Sequence, residues 1–292
     1  MLATAPDRTR VVRHHSDTGM WEAVFAAPHP RVRALVHGQY VGWTERSRSV
    51  VRRKEVPFPG IPLILNFGPA FTLLDPEHPG EPGARRSSFV AGLHQRFALT
   101  EAPGESCCVQ VNLTPLGGFA VLGLPMHQLA NQVVEFEDVL GREGRGLVAR
   151  LGESPDWEAR FDLVDQFLTG RAAEGPRASH EVLWAWRQLH ETAGAASIVQ
   201  LCRELGVSRR HLAARFREEV GLSPKLIGRI MRFNRVVSLL SRDDGARWSR
   251  IAHECGYHDQ SHLNHDFREF AGATPSEYLH RLQPDGGGVL AD

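Results

Sequence analysis

Leu201-Cys202-Arg203-Glu204-Leu205-Gly206-Val207 returns fifty residues later as Ile251-Ala252-His253-Glu254-Cys255-Gly256-Tyr257. After one inserted residue the match resumes: Leu212 with Leu263, Phe216-Arg217-Glu218 with Phe267-Arg268-Glu269, Gly221 with Gly272, and Pro224 with Pro275. A repeat of this period means two copies of one supersecondary unit. In the first copy Ile198, Leu201, Cys202 and Leu205 share one helical face. Ser197 precedes that face and Gln200 follows three residues on, the pattern of a capping box. Gly206 supplies the left-handed residue that ends a helix. Ser208 can cap the next helix, whose inward face is Leu212 and Phe216. The second copy repeats this with Trp248, Ile251, Ala252 and Cys255, a break at Gly256, then Leu263, Phe267 and Phe270. Arg247 stands where the first copy has Ser197, so that helix start is expected to be looser.

Two short helices joined by a tight glycine turn describe the helix-turn-helix, whose second helix enters the DNA major groove. One such match is weak, because many helical hairpins bury apolar faces this way. Two matches joined by a long helix are far more specific. The connector is expected from Pro224 to about Ser241, with Ser223 as its cap and Pro224 in its first turn. Between Arg209 and Arg235 lie Arg209, Arg210, Arg215, Arg217, Lys225, Arg229, Arg232 and Arg235, against Glu218 and Glu219 alone. Beside a helix-turn-helix, that basic excess reads as the footprint of phosphate contact.

The region from about Glu181 to Leu282 resembles the DNA-binding domain of the AraC/XylS family of bacterial transcription regulators. The resemblance is carried by Leu205-Gly206-Val207-Ser208, His211-Leu212, Arg215-Phe216-Arg217 and Gly221-Leu222-Ser223-Pro224. In the second copy it is carried by Ile251-Ala252, Cys255-Gly256-Tyr257, Asp259-Gln260-Ser261-His262-Leu263, Phe267-Arg268, and Gly272 through Tyr278. It implies double-stranded DNA as the ligand and RNA polymerase as a protein partner. It further implies a preceding β-rich domain that binds a small effector or forms a homodimer. DNA contacts are carried over to Ser208, Arg209, Arg210, Ala213, Ala214 and Arg215 in the first copy. In the second they fall on Gln260, Ser261, His262, Asn264 and His265. Arg pairs bidentately with guanine, and Gln and Asn suit adenine edges. Ala213 and Ala214 stand where many members place a polar reader, which leaves that helix Arg209, Arg210 and methyl contacts. A phosphate contact is the alternative at each polar position.

The chain has 292 residues, enough for two domains, and equal numbers of acidic and basic residues, so net charge selects no partner. The fold class expected is α+β: a β-rich, sandwich-like or barrel-like domain with trailing helices over 1–170, a linker over 171–178, and an all-α domain over 179–292. The helix-turn-helix units occupy 198–217 and 248–270. Residues 1 to about 30 show no clear period. Strands are expected at 34–44, 50–56, 62–67, 71–74, 88–93 and 107–113, separated by Gly/Pro turns. From Thr114 the period turns helical, through Leu116 and Phe119 to a break at Pro125. It continues with Met126, Leu129, Ala130 and Val133, then Trp157, Phe161, Val164 and Leu168. Val182, Leu183, Trp186 and Leu189 open the next helix, which ends at Gly194.

Other chemistry finds little support. No run of apolar residues is long enough to span a membrane, and the start lacks a secretory signal, so a cytoplasmic setting is expected. His253, Cys255, His258, His262 and His265 are dense, but zinc needs four converging donors and Cys255 faces inward. His29, His37, His78 and His94 form no close pair with a carboxylate, and no nucleophile elbow or phosphate loop is present. Cys202 and Cys255 read as core residues. Cys107 and Cys108 read as structural, with a vicinal redox pair as the alternative. The expectation is therefore no metal, no cofactor and no enzyme: a DNA-binding transcription regulator whose β domain holds an apolar pocket for a small effector. The alternative is a metal-dependent barrel enzyme fused to a DNA-binding domain.

Overall fold

The structure is a computed structural model. It describes residues 8–17, 19–78, 81–240, 248–282 and 289–290. The strands are β1 (Thr9–Ser16), β2 (Gly19–Ala26), β3 (Tyr40–Ser47), β4 (Val51–Glu55), β5 (Ile61–Asn66), β6 (Phe71–Leu74), β7 (Ala84–Arg86), β8 (Phe89–Ala91), β9 (Ala98–Ala102), β10 (Glu105–Leu113), β11 (Val133–Glu135) and β12 (Val289–Leu290). The helices are α1 (Pro115–Leu122), α2 (Phe136–Glu153, interrupted at Gly141), α3 (Trp157–Glu174), α4 (His180–Glu191), α5 (Ile198–Leu205), α6 (Arg209–Glu219), α7 (Pro224–Leu240), α8 (Trp248–Glu254), α9 (Gln260–Ala271) and α10 (Pro275–Arg281). The chain is thus α+β, with a β-rich first part and an all-helical second part apart from its tail strand.

Two antiparallel sheets face each other. One runs β1-β2-β3-β10-β5-β8-β11, the other β12-β4-β9-β6-β7. Alternation along each strand sorts side chains between faces. Val41, Trp43, Pro62, Ile64, Cys108 and Gln110 of the larger sheet face the smaller one across a cavity. Their neighbours Leu63, Leu65, Val109 and Val111 are at most 1% exposed and lie on the opposite face, which the helices cover. Tyr40 stacks on Phe161 of α3 at 5.9 Å. A Cβ at Gly42 would lie 2.4 Å from the Trp157 ring, so only glycine lets α3 lie this close. The larger sheet is therefore buried on both faces around its centre.

Several expectations are corrected here. The period-free first thirty residues contain the β1–β2 hairpin, paired in full register from Thr9↔Ala26 to Ser16↔Gly19. Its edge strand is polar and half exposed, which hides the alternation. The strand expected from Ala34 starts only at Tyr40, because Arg33–Leu35 form a short 3-10 turn. The helix expected from Met126 through Val133 is a 3-10 turn at Met126–Gln128 followed by β11. Asn131 has φ 58 there, a left-handed residue that no helix continues through. Short strands β7, β9 and β11 were not anticipated. Residues 171–174 of the expected linker are the last turn of α3, and 175–179 are the non-helical connection. Leu183, expected inside, is 44% exposed, and Ala185 takes its place in the core of α4. The cap expected to be missing at Arg247 and the connector end at Ser241 lie outside the described residues.

The two parts share one continuous core. β12, the chain's tail, pairs with β4 through Val289↔Lys54 and Leu290↔Arg53. Asn234 of α7 donates to the Pro57 carbonyl at 2.8 Å. Lys54 of β4 donates to the Ala271 carbonyl at the end of α9, at 3.2 Å.

Candidate nucleic-acid interface and the adjoining cavity

Each helix-turn-helix is fixed by local chemistry that the repeat encodes. The Ser197 side chain accepts from the Gln200 amide, though the Gln200 side chain turns to Glu204 rather than closing a full box. Gly206 ends α5 at φ 68. The Ser208 hydroxyl caps α6 by accepting from the His211 amide at 3.1 Å. In the second unit Gly256 has φ 75. The Asp259 carboxylate caps α9, accepting from the His262 amide at 2.8 Å. That bond and the neighbouring His258 hold the Asp259 carboxyl below its usual range. Thr274 and Glu277 form a complete capping box on α10, unanticipated from the sequence.

Both second helices bury one face and present the other. On α6, Leu212 and Phe216 are fully buried. Arg209, Arg210, His211 and Ala214 are exposed and Ala213 half-buried. On α9, Leu263, Phe267 and Phe270 are buried, while Gln260, Ser261, His262 and His265 are exposed and Asn264 half-buried. The structure thus gathers the expected positions other than Arg215 into two surface stripes. Arg217 and Arg268 extend these stripes, each exposed one turn beyond Ala213 and Asn264 respectively. The helical spacing from Arg210 to Arg217 and from Gln260 to Arg268 could have found them.

Not every basic residue in the connector region faces solvent. Arg215 is paired with Glu218 at 3.1 Å and Glu219 at 2.7 Å. Glu219 is 1% exposed and also accepts from the amide and hydroxyl of Ser179. Arg215 therefore ties α6 to the start of α4. Arg232 donates to the Gly194 carbonyl at 2.7 Å. Arg229 bonds Asp266 and Glu269 of α9, each at 2.6 Å, which raises its own pKa and lowers that of Glu269. Arg209, Arg210, Arg217, Lys225 and Arg235 remain on the surface.

The connector α7 holds both units. Phe233 packs edge-on against Phe267 and Phe270 at 4.8 and 5.3 Å. Gly228 of α7 and Gly194, after α4, approach so closely that a Cβ on Gly194 would lie 2.1 Å from the Gly228 carbonyl oxygen. His265, Asp266 and Glu269 bring one donor each within 4.8 Å of one another, but the Arg229 guanidinium already sits on both carboxylates. Cys255 is buried, and His253, His258, His262 and His265 are exposed, so their donors point different ways.

The β domain contacts the second unit at the end of α9 remote from Gln260. Gly272 ends α9 at φ 61, and a Cβ there would lie 2.4 Å from the Phe97 ring. Lys54 sits over the same ring at 4.3 Å. The first unit rests on the turn at Met126, against which Gly221 packs. The exposed stripes stay clear of these contacts.

Between the sheets lies a cavity of about 330 Å³. Trp43, Phe58, Phe71 and Phe89 supply aromatic wall; Arg53, Glu55, His94, Thr100 and Gln110 supply polar groups. Sequence reasoning missed Arg53 and Glu55, because the strand Val51-Arg52-Arg53-Lys54-Glu55 carries almost no hydrophobic signal. Burial lowers the His94 pKa and pushes the Cys108 thiol up to about 12. Cys107 and Cys108 are both free thiols.

Comparison with known proteins places residues 201–281 in a helix-turn-helix domain family. Residues 25–135 match a domain of unknown function (DUF6597). No curated protein matches the chain. Among solved structures, ToxT from Vibrio cholerae is 15% identical, with TM-score 0.47 over 83% of this chain and 97% of that one. The AraC-like transcriptional activator CuxR is 15% identical, with TM-score 0.30 over 81% and 88%. The xylose-binding transcription activator XylR is 23% identical, with TM-score 0.30 over 38% of this chain and 29% of its own. No described helix is long and apolar enough to cross a membrane.

Proposed function

We propose that this chain, whose residues 201–281 match a helix-turn-helix domain family, is a sequence-specific transcription regulator of the AraC type governed by a small molecule in its β domain. The observation that carries this reading is the pair of exposed helix faces on α6 and α9, both anchored to one connector. Arg209 and Arg210 are placed to read guanine edges. Gln260, Ser261, Asn264 and His265 present amide, hydroxyl and imidazole groups to a second element. Ala213 and Ala214 offer methyl contacts, and Ser208 and His262 lie at the helix starts, where phosphates are bound by free amides. Arg215 acts by positioning α6.

The cavity supports the effector role through β4. Arg53 and Glu55 line the cavity, while the alternating Lys54 bonds the end of α9. One strand thus touches both the cavity and a DNA-reading helix, so an occupant that shifts β4 alters the DNA-competent arrangement. An enzymatic use of the cavity is disfavoured: His94 is bonded through Nδ1 to the Gly92 carbonyl at 2.7 Å, and the Cys108 thiol is protonated at neutral pH. RNA polymerase, a second copy of the chain and a cytoplasmic setting complete the reading.

Selection of bound duplexes from a random pool by the full chain tests it. A recovered consensus, with affinity falling steeply as salt rises, is expected. Recovery of no consensus would contradict a regulator and raise the enzyme alternative.

A further inference from the structure

The cavity's charge is uneven in a way its apolar wall does not require. Arg53 reaches across from β4 to Glu45 of β3, at 2.7 Å, and lies over the Trp43 ring at 5.6 Å. Glu45, 6% exposed, also accepts from the Trp43 indole at 3.3 Å. That positive charge is therefore matched within the wall. Glu55 is different. It follows Arg53 on the same face of β4 and lines the same cavity. Its side chain is exposed and has no hydrogen-bond or ion-pair partner among the described residues. The surrounding protein is nevertheless dense enough to push its carboxyl above the usual range, with only the distant pull of Arg53 opposing. His94 and the Cys108 thiol, which share the wall, are neutral at pH 7. Tyr278 of α10 lies near enough for that carboxylate, together with burial, to raise its own pKa to about 12.

A carboxylate with no partner, set beside a wall of aromatic rings, is a ready counter-charge for a cation. We propose that the cavity takes an apolar organic cation, an amine or quaternary ammonium on an aromatic or hydrocarbon body, with Glu55 as its counter-charge. The inference rests on the effector role proposed above. The rings of Trp43, Phe58, Phe71 and Phe89 suit such a ligand twice over: they bury its body, and their faces attract its charge. Because Nδ1 of His94 donates to a carbonyl, Nε2 of the neutral ring is left as an acceptor, which favours an N–H donor. An anion would meet Glu55 unpaired and would have to displace Glu45 from Arg53. The volume suits a compact ligand, at the lower end of the range for small-molecule pockets.

The test uses the full chain and a matched set of probes: 2-naphthylmethylamine and benzyltrimethylammonium as cations, 2-naphthalenemethanol as the neutral form, and 2-naphthoate as the anion. Calorimetry is run on the wild type, on Glu55→Gln and on Ala91→Phe, which fills the cavity. Glu55→Gln removes an unpartnered charge and is expected to fold. The cations should bind the wild type at least ten-fold more tightly than Glu55→Gln, lose binding in Ala91→Phe, and bind more tightly as pH rises through the raised pKa of Glu55. Equal or tighter binding of the alcohol or the carboxylate overturns the proposal. So does cation binding indifferent to Glu55→Gln, or no saturable binding by either cation. DNA affinity measured with each probe separates the two readings. Cations that bind through Glu55 and leave DNA affinity unchanged uphold the ligand class and contradict the effector role. Neutral or anionic probes that bind and change DNA affinity do the reverse.

Discussion

Arg210 and Arg217 sit on the same exposed stripe of α6, and we propose different jobs for them. Arg210, near the capped start of the helix, is placed for bidentate pairing with a guanine. Arg217, two turns on, is placed for the phosphate backbone. Arg210→Ala should cost about 1–3 kcal/mol on the selected site and relax one base position, as measured by competition with single-base variants. Arg217→Ala should weaken all sequences alike and lower the slope of log affinity against log salt by about 1. A uniform loss for Arg210→Ala would make it a phosphate contact instead. At Glu55 the folded pKa lies above the ordinary value of 4.5. The folded state therefore binds the proton more tightly, and this residue's contribution favours folding at low pH and is lost as pH rises through the folded pKa. Thermal melts should show Glu55→Gln more stable than the wild type at neutral pH, with the difference gone below about pH 4.5. Arg210 was legible in the sequence as an outward-facing position because the repeat fixed which helix positions point outward, whereas Arg217 was counted only in the basic excess. Glu55 was not, because a strand of charged residues gives no sign of which side faces an interior until its partners are known.

Among elements, α6 is held by more than its apolar face. The Glu219 carboxylate at its end accepts from the amide and hydroxyl of Ser179 and is ion-paired with Arg215, and so joins α6 to the connection between domains. Glu219→Ala should cost about 1.5–3 kcal/mol, the scale for hydrogen bonds to a charged group, and should speed proteolysis at 175–179. Unchanged stability would show that Arg215 and Ser179 find water instead. Apolar strands with a buried face, such as β5 and β10, were readable from the sequence, and so were the glycine-terminated helices. The misses follow a rule. β1 is a polar edge strand, β7 and β11 are three residues long, and β12 has two residues; each is fixed by its neighbour in the sheet rather than by its own pattern. The turn at Met126 failed for another reason: its spacing is helical, but Asn131 turns the chain in a conformation that no periodicity reveals.

The whole molecule couples its parts more tightly than a two-domain sequence suggests. The tail strand β12 lies along β4, and Val289 is 3% exposed. Ending the chain after Leu282 should cost about 1.5–3 kcal/mol for that valine alone. It should also loosen the contact between the cavity wall and α9, read as a smaller effect of any bound effector on DNA affinity. A truncated chain with an unchanged melting temperature would show the tail to be incidental. We propose that α6 and α9 read DNA as a pair. They belong to one chain and are fixed to one connector, α7, whose 17 residues span about 25 Å at 1.5 Å per residue. Successive major-groove entries on one face of B-DNA lie about 34 Å apart, the same scale as α7 before the width of the two units is added. One protomer should therefore contact two unlike elements about one helical turn apart, because Arg209 and Arg210 present donors different from those of Gln260 and Asn264. The most direct test is the affinity of the full chain for its selected duplex with five base pairs inserted between the elements. The insertion turns one element to the opposite face, and affinity should fall sharply, with protection of both elements lost together. Affinity and footprint indifferent to the insertion would show that one helix-turn-helix reads DNA alone, and would contradict the account.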